Sequence, residues 1–369
     1  MRYIDDAISF VRQGNNMEYS DSKNRFIKIV LYVGITAILL YSGRIAFGVR
    51  ELTKLKHFSR ITALSQLEFS GTLNAYALPL LCDDSSTTYD RKGVIVVDYS
   101  KSTLQGLHSI EYNPGTIAQF SLCFYNQYKS TGLEDYRRRF LVQLDWLMTH
   151  YVNDPEHNYV VWQYDFTVPQ HGVNHTGWVS GLTQGVAISA LLRGYQMTGQ
   201  DVYLAVAQKA LNSMVIPLDR GGVAYQEDDN LFFEEVPSGN HILNGDIFAL
   251  LGVYEYWLVT KSDTAQNMVE MNIATLKRWL PRYDLGYWSR YSLDRETIIN
   301  HWTIASPEYH DLHIDMLQLL YRISGDSYFS DMQVRWENYQ NGIPSFLIGA
   351  SRVVYIDFQL LSKKMKILY

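Results

Sequence analysis

One phrase returns along the chain at nearly constant spacing, and it limits the fold more than any other feature. Tyr128-Lys-Ser-Thr131-Gly132 is followed by Tyr136, Tyr195-Gln-Met-Thr198-Gly199 by Tyr203, and Tyr321-Arg-Ile-Ser324-Gly325 by Tyr328. Tyr256-Trp-Leu-Val-Thr260-Lys261 is a degenerate copy. The interval is 67 residues from Gly132 to Gly199, 62 on to Lys261 and 64 on to Gly325. Each copy closes an apolar-periodic stretch with a residue in the C-cap place and opens another, as in IAQFSLCFYNQY, then STG, then LEDYRRRFLVQLDWLM. Such repeats are helical hairpins that bury their apolar faces only against the next unit, which leaves two closures, an open solenoid or a ring. Glycine-bearing connections rich in aromatics and carboxylates separate the hairpins: Tyr164 to Gly177, Gly221 to Gly239 and Tyr283 to Pro307. Long loops of that kind are more often functional than structural. A ring directing them to one end forms an open groove suited to a polysaccharide.

The remaining sequence sets the surroundings of that repeat. Hydrophobic residues make up 47% of the 369 and charged residues 19%, which excludes a disordered chain. A net charge of -6 without any Lys/Arg run excludes nonspecific nucleic-acid binding. Tyrosines number 28 against 15 phenylalanines, a balance that suits stacking on sugar faces while bonding to hydroxyls. Cys82 and Cys123 are too few for a disulfide framework or a four-thiolate metal site and say little about redox compartment. Short pieces such as Gly93 to Ser100, GVIVVDYS, read as strands between about Glu68 and Ile110.

Phe26 to Phe47 reads as a single-pass membrane anchor: Ile29 to Gly43 is uncharged, and Lys28 and Arg44 at its ends can snorkel to the interface. A polar stretch precedes it and no small-residue cleavage site follows, so an uncleaved anchor is expected, with the lumenal or extracytoplasmic side favoured for the rest. The organisation expected is a polar tail over 1–25, an anchor over 26–47, a linker and small β-rich region over 48–112, a helical domain over 113–340 and an extension over 341–369. Asn174-His175-Thr176 is a glycosylation sequon if that domain is lumenal or extracellular.

Five blocks in order resemble the C-terminal domain of the D-glucuronyl C5-epimerases. They are NPGTIAQFSL from Asn113, GWVSGLTQGVAISALLRGY from Gly177, EEVPSGNHILNGDIFALLGVYEY from Glu234, LPRYDLGYWSRYSL from Leu280 and SPEYHDLHIDMLQLLYRISGD from Ser306. The resemblance implies a mainly α fold, an (α/α) toroid preceded by a small β-containing region, here behind the N-terminal membrane helix. It implies a uronate-containing polysaccharide of the heparan or heparosan kind as partner, no metal or organic cofactor, and conversion of D-glucuronate to L-iduronate. A homodimer stays open.

Inverting C5 means taking a proton from one face of the ring and returning one to the other, so two acid/base groups must flank it while donors hold the carboxylate. By the resemblance, Tyr309 in SPEYHDLH is a catalytic tyrosine; its phenol needs nearby cations to act as a base, and His310 and His313 flank it in sequence. Glu235 matches a glutamate of the family, but Val236 stands where the family has a second phenol. That role falls to Glu235 or to a phenol such as Tyr225, Tyr287 or Tyr291, or the chemistry has changed. Tyr291 matches the tyrosine of the next motif, whereas Asp294 occupies its arginine's place, leaving Arg290 or Arg295 to meet the carboxylate. Trp178, Gln184 and Asn244 match residues expected to stack on or bond to sugar, the last two doubling as candidates for helix cross-links. His301, His310 and His313 lack the HExxH or Cys-x-x-Cys spacing of a metal site. Two rivals keep the same groove: a uronate lyase, in which C5 abstraction is followed by loss of the C4 substituent, and an inactive carbohydrate-binding relative.

Overall fold

The computed structural model describes residues 73–80, 82, 87–100, 109–293 and 304–342. They belong to one of two compact units, 57–345; the other, 1–56 with 346–369, lies outside them. Short strands β1 (Thr88–Tyr89), β2 (Ile95–Asp98) and β3 (Ile110–Glu111) pair antiparallel in that order. Four helical hairpins follow: α1 (Pro114–Thr131) with α2 (Glu134–Thr149), α3 (Gly181–Thr198) with α4 (Asp201–Ser213), α5 (Leu243–Thr260) with α6 (Asp263–Tyr283), and α7 (Pro307–Ser324) with α8 (Ser327–Gln340).

The recurring phrase is the hinge of each hairpin. Gly132, Gly199 and Gly325 take the left-handed conformation, and their N–H groups donate to the carbonyls of Tyr128, Tyr195 and Tyr321. Thr131, Thr198, Thr260 and Ser324 each donate a hydroxyl to the carbonyl four residues back. The same hydroxyls accept from the N–H two residues ahead, which turns the chain into the next helix. The fourth copy is one residue out of the expected register. Lys261, left-handed at φ 57°, caps onto Trp257 and not Tyr256, and its Nζ lies 4.8 Å from the Trp257 ring centroid. Tyr256 is thereby turned about 100° into the core, where its hydroxyl bonds to Gln208.

The first helix of every hairpin packs on the first helix of the next, α1 on α3, α3 on α5 and α5 on α7, while the second helices pack on their own partners. This is a series of α/α repeats. The tightest contact joins α3 to α5. A Cβ at Gly252 would sit 2.1 Å from the Gly185 carbonyl oxygen, and one at Gly185 would sit 2.4 Å from the Ala249 Cα. Backbone on both sides leaves no flexible atom to give way. Gly252→Ala should therefore destabilise by about 1–3 kcal/mol in thermal unfolding, since overpacking outweighs the at most ~1 kcal/mol gained in helix propensity.

Across the same helix pair Arg193 and Glu255 form a buried two-pronged ion pair, at 2.7 Å for Nη1 to Oε2 and 2.8 Å for Nη2 to Oε1. The Arg193 Nε donates to the Asn74 carbonyl at 3.1 Å, so one guanidinium joins two helices to the segment before the sheet. That segment is also tied to α1 by a Cys82–Cys123 disulfide, with Cα atoms 5.9 Å apart. The pairing was not legible from two cysteines 41 positions apart.

The membrane helix in the expected fold class, and with it the membrane partner and single-pass location, is corrected. No helix among the described residues is long and apolar enough to cross a membrane, and 26–47 lies outside them. Among the described helices α5 is apolar around most of its circumference, but it packs inside the fold. Its apolar faces are covered by α3 and α6, and it carries the buried carboxyls of Asp246 and Glu255, each held by a protein partner.

Candidate active site

The connections bring each inner helix back to start at the same end, and they are more ordered than loops. Three strand pairings and an isolated bridge stiffen them: β4 (Val152–Asp154) with β5 (Tyr159–Val161), β6 (Gln163–Tyr164) with β7 (Trp178–Val179), and β8 (Ala224–Glu227) with β9 (Asn230–Phe233) pair antiparallel, and Arg290 bridges Ile304. Asn113 caps α1, accepting from the Thr116 N–H at 3.0 Å; Ser180 caps α3; Ser306 caps α7 by accepting from the Tyr309 N–H at 3.2 Å. The positive ends of the helix dipoles thus share one end of the fold.

A pocket of about 170 Å³ opens there, lined by residues at the starts of three inner helices, Asn113, Ser180, Leu182 and Ile242, together with Tyr99, Tyr164, Trp178, Glu235 and Val236. Glu235 is its distinctive group. The preceding Glu234 is fully buried and spent: Oε2 accepts from the His241 N–H at 3.0 Å and Oε1 bonds to the His241 ring. Glu235 lies in the bend that follows β9, and its Oε2 is shielded from water with no hydrogen-bond partner. Loss of hydration, then the charge of Glu234, raises the Glu235 carboxyl to about 7. Its side chain lies against Gly245, where an added Cβ would meet Oε2 at 2.5 Å, so only glycine lets α5 start this close.

Two phenols complete the group. The Tyr291 and Tyr309 rings meet edge to face with centroids 4.7 Å apart. Tyr291 packs on the apolar cluster that lines the pocket, whereas Tyr309, the third residue of α7, is 38% exposed. Burial, then the charge of Glu235, holds the Tyr291 phenol well above its ordinary range, and a hydrogen bond links it to Tyr309. Glu235, from the connection before α5, Tyr291, from the connection before α7, and Tyr309, from the first turn of α7, therefore come together.

The other sequence candidates divide. Trp178 lines the pocket, with one face stacked on Tyr164 at 3.9 Å and its indole N–H donated to the Phe166 carbonyl at 2.7 Å. Asn244 is buried in the first turn of α5, and its Oδ1 has no hydrogen-bond partner. Gln184 is instead a cross-link of the core: it accepts from the Trp162 N–H and donates to the Val160 carbonyl and the Ser213 hydroxyl. His310 and His313 are fully buried with the Ser289 hydroxyl between their Nδ1 atoms at 2.7 and 3.0 Å. Burial pushes His310 down to about 3 and His313 well below its usual value, so both are neutral and are not the cations expected beside Tyr309. Arg290 is buried at 8% exposure; Arg295, His301 and Asp294 lie outside the described residues. Tyr99, Asn113 and Tyr164 were not singled out as site residues, though Asn113 before Pro114 is the signal of a helix start.

Residues 155–338 match the family model described as the D-glucuronyl C5-epimerase C-terminus. The chain is 30% identical over 180 residues to a D-glucuronyl C5-epimerase of Caenorhabditis elegans, an alignment covering 45% of this chain and 29% of that enzyme. It is 27% identical over 231 residues to an uncharacterized protein of Methanocaldococcus jannaschii, covering 58% of this chain and 72% of that one. Among solved structures, a family 76 glycoside hydrolase from a bovine Bacteroides thetaiotaomicron strain overlaps 60% of this chain and 49% of its own at 15% identity and a TM-score of 0.39, too loose a likeness to argue from. The chain is a distant homologue of D-glucuronyl C5-epimerase over that family's C-terminal region.

Proposed function

We propose that the protein epimerises D-glucuronate to L-iduronate residues at C5 within a heparan- or heparosan-like polysaccharide. The observation that carries this reading is the Glu235 carboxyl raised to about 7, with Oε2 shielded from water and without a hydrogen-bond partner, set among the tyrosines of the pocket. A carboxylate of that basicity is matched to proton abstraction near neutral pH. Tyr291, held in its protonated form, and the exposed Tyr309 bonded to it form the acid that returns a proton from the opposite face. The aligned N-terminal ends of the inner helices, with Arg290 as the cation, stabilise the charge that grows on the C5 carboxylate as the proton leaves. In this arrangement Glu235 takes the place of the phenol that Val236 cannot supply, and Val236 forms part of the apolar wall that keeps the carboxyl basic.

Deuterium incorporation at C5 from heavy water, followed by NMR over a panel of uronate polymers, tests the reading. Incorporation accompanied by iduronate signals is expected. Absorbance from an unsaturated uronate would establish the lyase instead, and no exchange on any polymer would reject both. The pH dependence has a defined sign. Glu235 is a base only when ionised, so kcat/KM should fall about tenfold per pH unit below its inflection and level off above it; the inflection is expected near the value of about 7 to which burial raises the group.

A further inference from the structure

Glu234 and His241 form a buried pair that handles no proton of the substrate. Glu234 is tied through its backbone on both sides: its N–H donates to the Val223 carbonyl at 2.8 Å, and its carbonyl accepts from the N–H of Gly181, the first residue of α3, at 2.7 Å. Its carboxylate then grips one residue twice, with the His241 N–H at 3.0 Å on Oε2 and the His241 ring Nδ1 on Oε1. The ring is held in turn. It meets Tyr225, Phe232 and Trp279 edge to face, with centroids 4.7, 5.5 and 4.9 Å away, and the His241 carbonyl accepts from the Tyr283 hydroxyl at 2.7 Å. The backbone of His241 is left-handed at φ 49°, uncommon for a residue with a side chain.

The pair stands between Glu235 and Tyr291. Glu235 follows Glu234 directly in the chain. On the other side, residues 240–243 run antiparallel to 291–293: the Leu243 N–H donates to the Tyr291 carbonyl and the Leu293 N–H to the Asn240 carbonyl, each at 3.1 Å, and Ile242 bridges Ser292. Glu235 also lies against Gly245, so the chain from 234 to 245 closes on itself with the carboxyl inside and the phenol's backbone paired to its far strand. A displacement of Glu234 is therefore passed to Glu235, and one of His241 to Tyr291.

We propose that Glu234 and His241 are positioning residues, a clamp that sets the spacing of the Glu235 carboxyl and the Tyr291 phenol. The proposal rests on the reading of those two as the groups that move the C5 proton. Proton transfer tolerates little slack: a misplacement of about 1 Å can cost on the order of 10² in rate. The clamp also puts a charge beside the base. The titratable groups near Glu234 are His241, Tyr225 and Asp246, with Arg282 beyond at 5.0 Å from the Trp279 ring centroid; those near Glu235 are Tyr99, Tyr164, His171 and Tyr291. Burial raises the phenols of Tyr99, Tyr164 and Tyr291 and the carboxyl of Asp246, and the bond to Glu227 raises Tyr225. Glu234 is the neighbour whose charge opposes ionisation of Glu235, so removing that charge should let Glu235 ionise at lower pH.

Carbon-13 NMR of the full chain labelled at the glutamate carboxyls reads Glu235 directly, its signal identified by its loss in Glu235→Gln. His241→Gly removes the ring without straining the left-handed backbone, whereas His241→Asn keeps a donor near the place of Nδ1 and tolerates the same conformation. In His241→Gly the Glu235 titration should move down toward the ordinary carboxylate range as water reaches the group, and C5 exchange should lose about 10² in kcat with KM nearly unchanged. His241→Asn should restore both. If His241→Gly does not fold, Glu234→Gln, which keeps the side chain's shape, is read in its place, and its Glu235 titration should move in the same direction. An unchanged titration overturns the clamp whatever the exchange rate; so does a loss of exchange carried by KM, an unchanged kcat, or an asparagine variant as impaired as the glycine one. Titrations that shift as described, in a protein that exchanges no C5 hydrogen on any uronate polymer, support the clamp and reject the reaction.

Discussion

Glu235→Gln is expected to lower C5 hydrogen exchange by about 10²- to 10⁴-fold, the range for removing a positioned acid or base, without loss of fold. The substitution keeps the shape and removes only the ionisable group. Stability should move the other way. Because burial raises the folded-state value to about 7 from an ordinary 4.5, the folded protein holds a proton that the unfolded chain has already released. The contribution of this group to stability is therefore full below the lower value and is lost as pH rises through the higher one. Glutamine removes that dependence, so thermal melts of the variant should be less sensitive to pH between those limits and higher at pH 8. Tyr309→Phe should match the loss of exchange without the stability change. A Glu235→Gln protein that exchanges C5 hydrogen at the normal rate would remove the carboxyl from the mechanism.

Glu255→Gln should unfold the protein more easily by about 3–5 kcal/mol, because it leaves the Arg193 guanidinium charged and uncompensated in the core. For a unit of this size that corresponds to a fall in Tm of roughly 10 °C. Burial disfavours the charged guanidinium, and the charge and hydrogen bonds of Glu255 offset that cost; arginine stays protonated when the partner is removed, so the cost is then uncompensated. The double variant Arg193→Met/Glu255→Leu should recover most of the loss, since an apolar pair of similar volume replaces both desolvated charges. If the single and double variants melt alike, the pair is not what holds α3 to α5, and the glycine contact carries that junction.

The helical hairpins were legible because the turn chemistry is local. A left-handed cap and a hydroxyl that bonds both backward and forward need only consecutive residues, and the sequence repeats them four times. The one-residue slip at Tyr256 shows the limit of matching letters: backbone hydrogen bonding, not the aromatic, defines the register, and Trp257 holds the equivalent place. Glu235, Tyr291 and Tyr309 became candidates through resemblance alone, since nothing local separates Glu235 from Glu234. Which carboxylate is spent on His241 and which is left bare depends on α3 and α5 arriving at the strand end. His310 and His313 show the converse case, and Gln184 takes the cross-linking alternative. Their polar side chains match a motif, yet they are buried in the core: Gln184 bonds to Trp162, Val160 and Ser213, and the Ser289 hydroxyl lies between the Nδ1 atoms of both histidines.

The contact of Gly185 with Gly252 has a reach beyond its own helices. Both helices carry walls of the pocket at their N-terminal ends, at the capping residues Ser180 of α3 and Ile242 of α5, and the two are pressed together about one turn into α3 and two to three turns into α5. They act as the arms of a caliper whose pivot is bare backbone. The width of the slot is then set at a point no substrate touches. A bulkier residue at the pivot would change which chains fit before it changed any group that handles a proton, and selectivity for thin or thickly substituted polymers would be inherited along with the spacing of two helices.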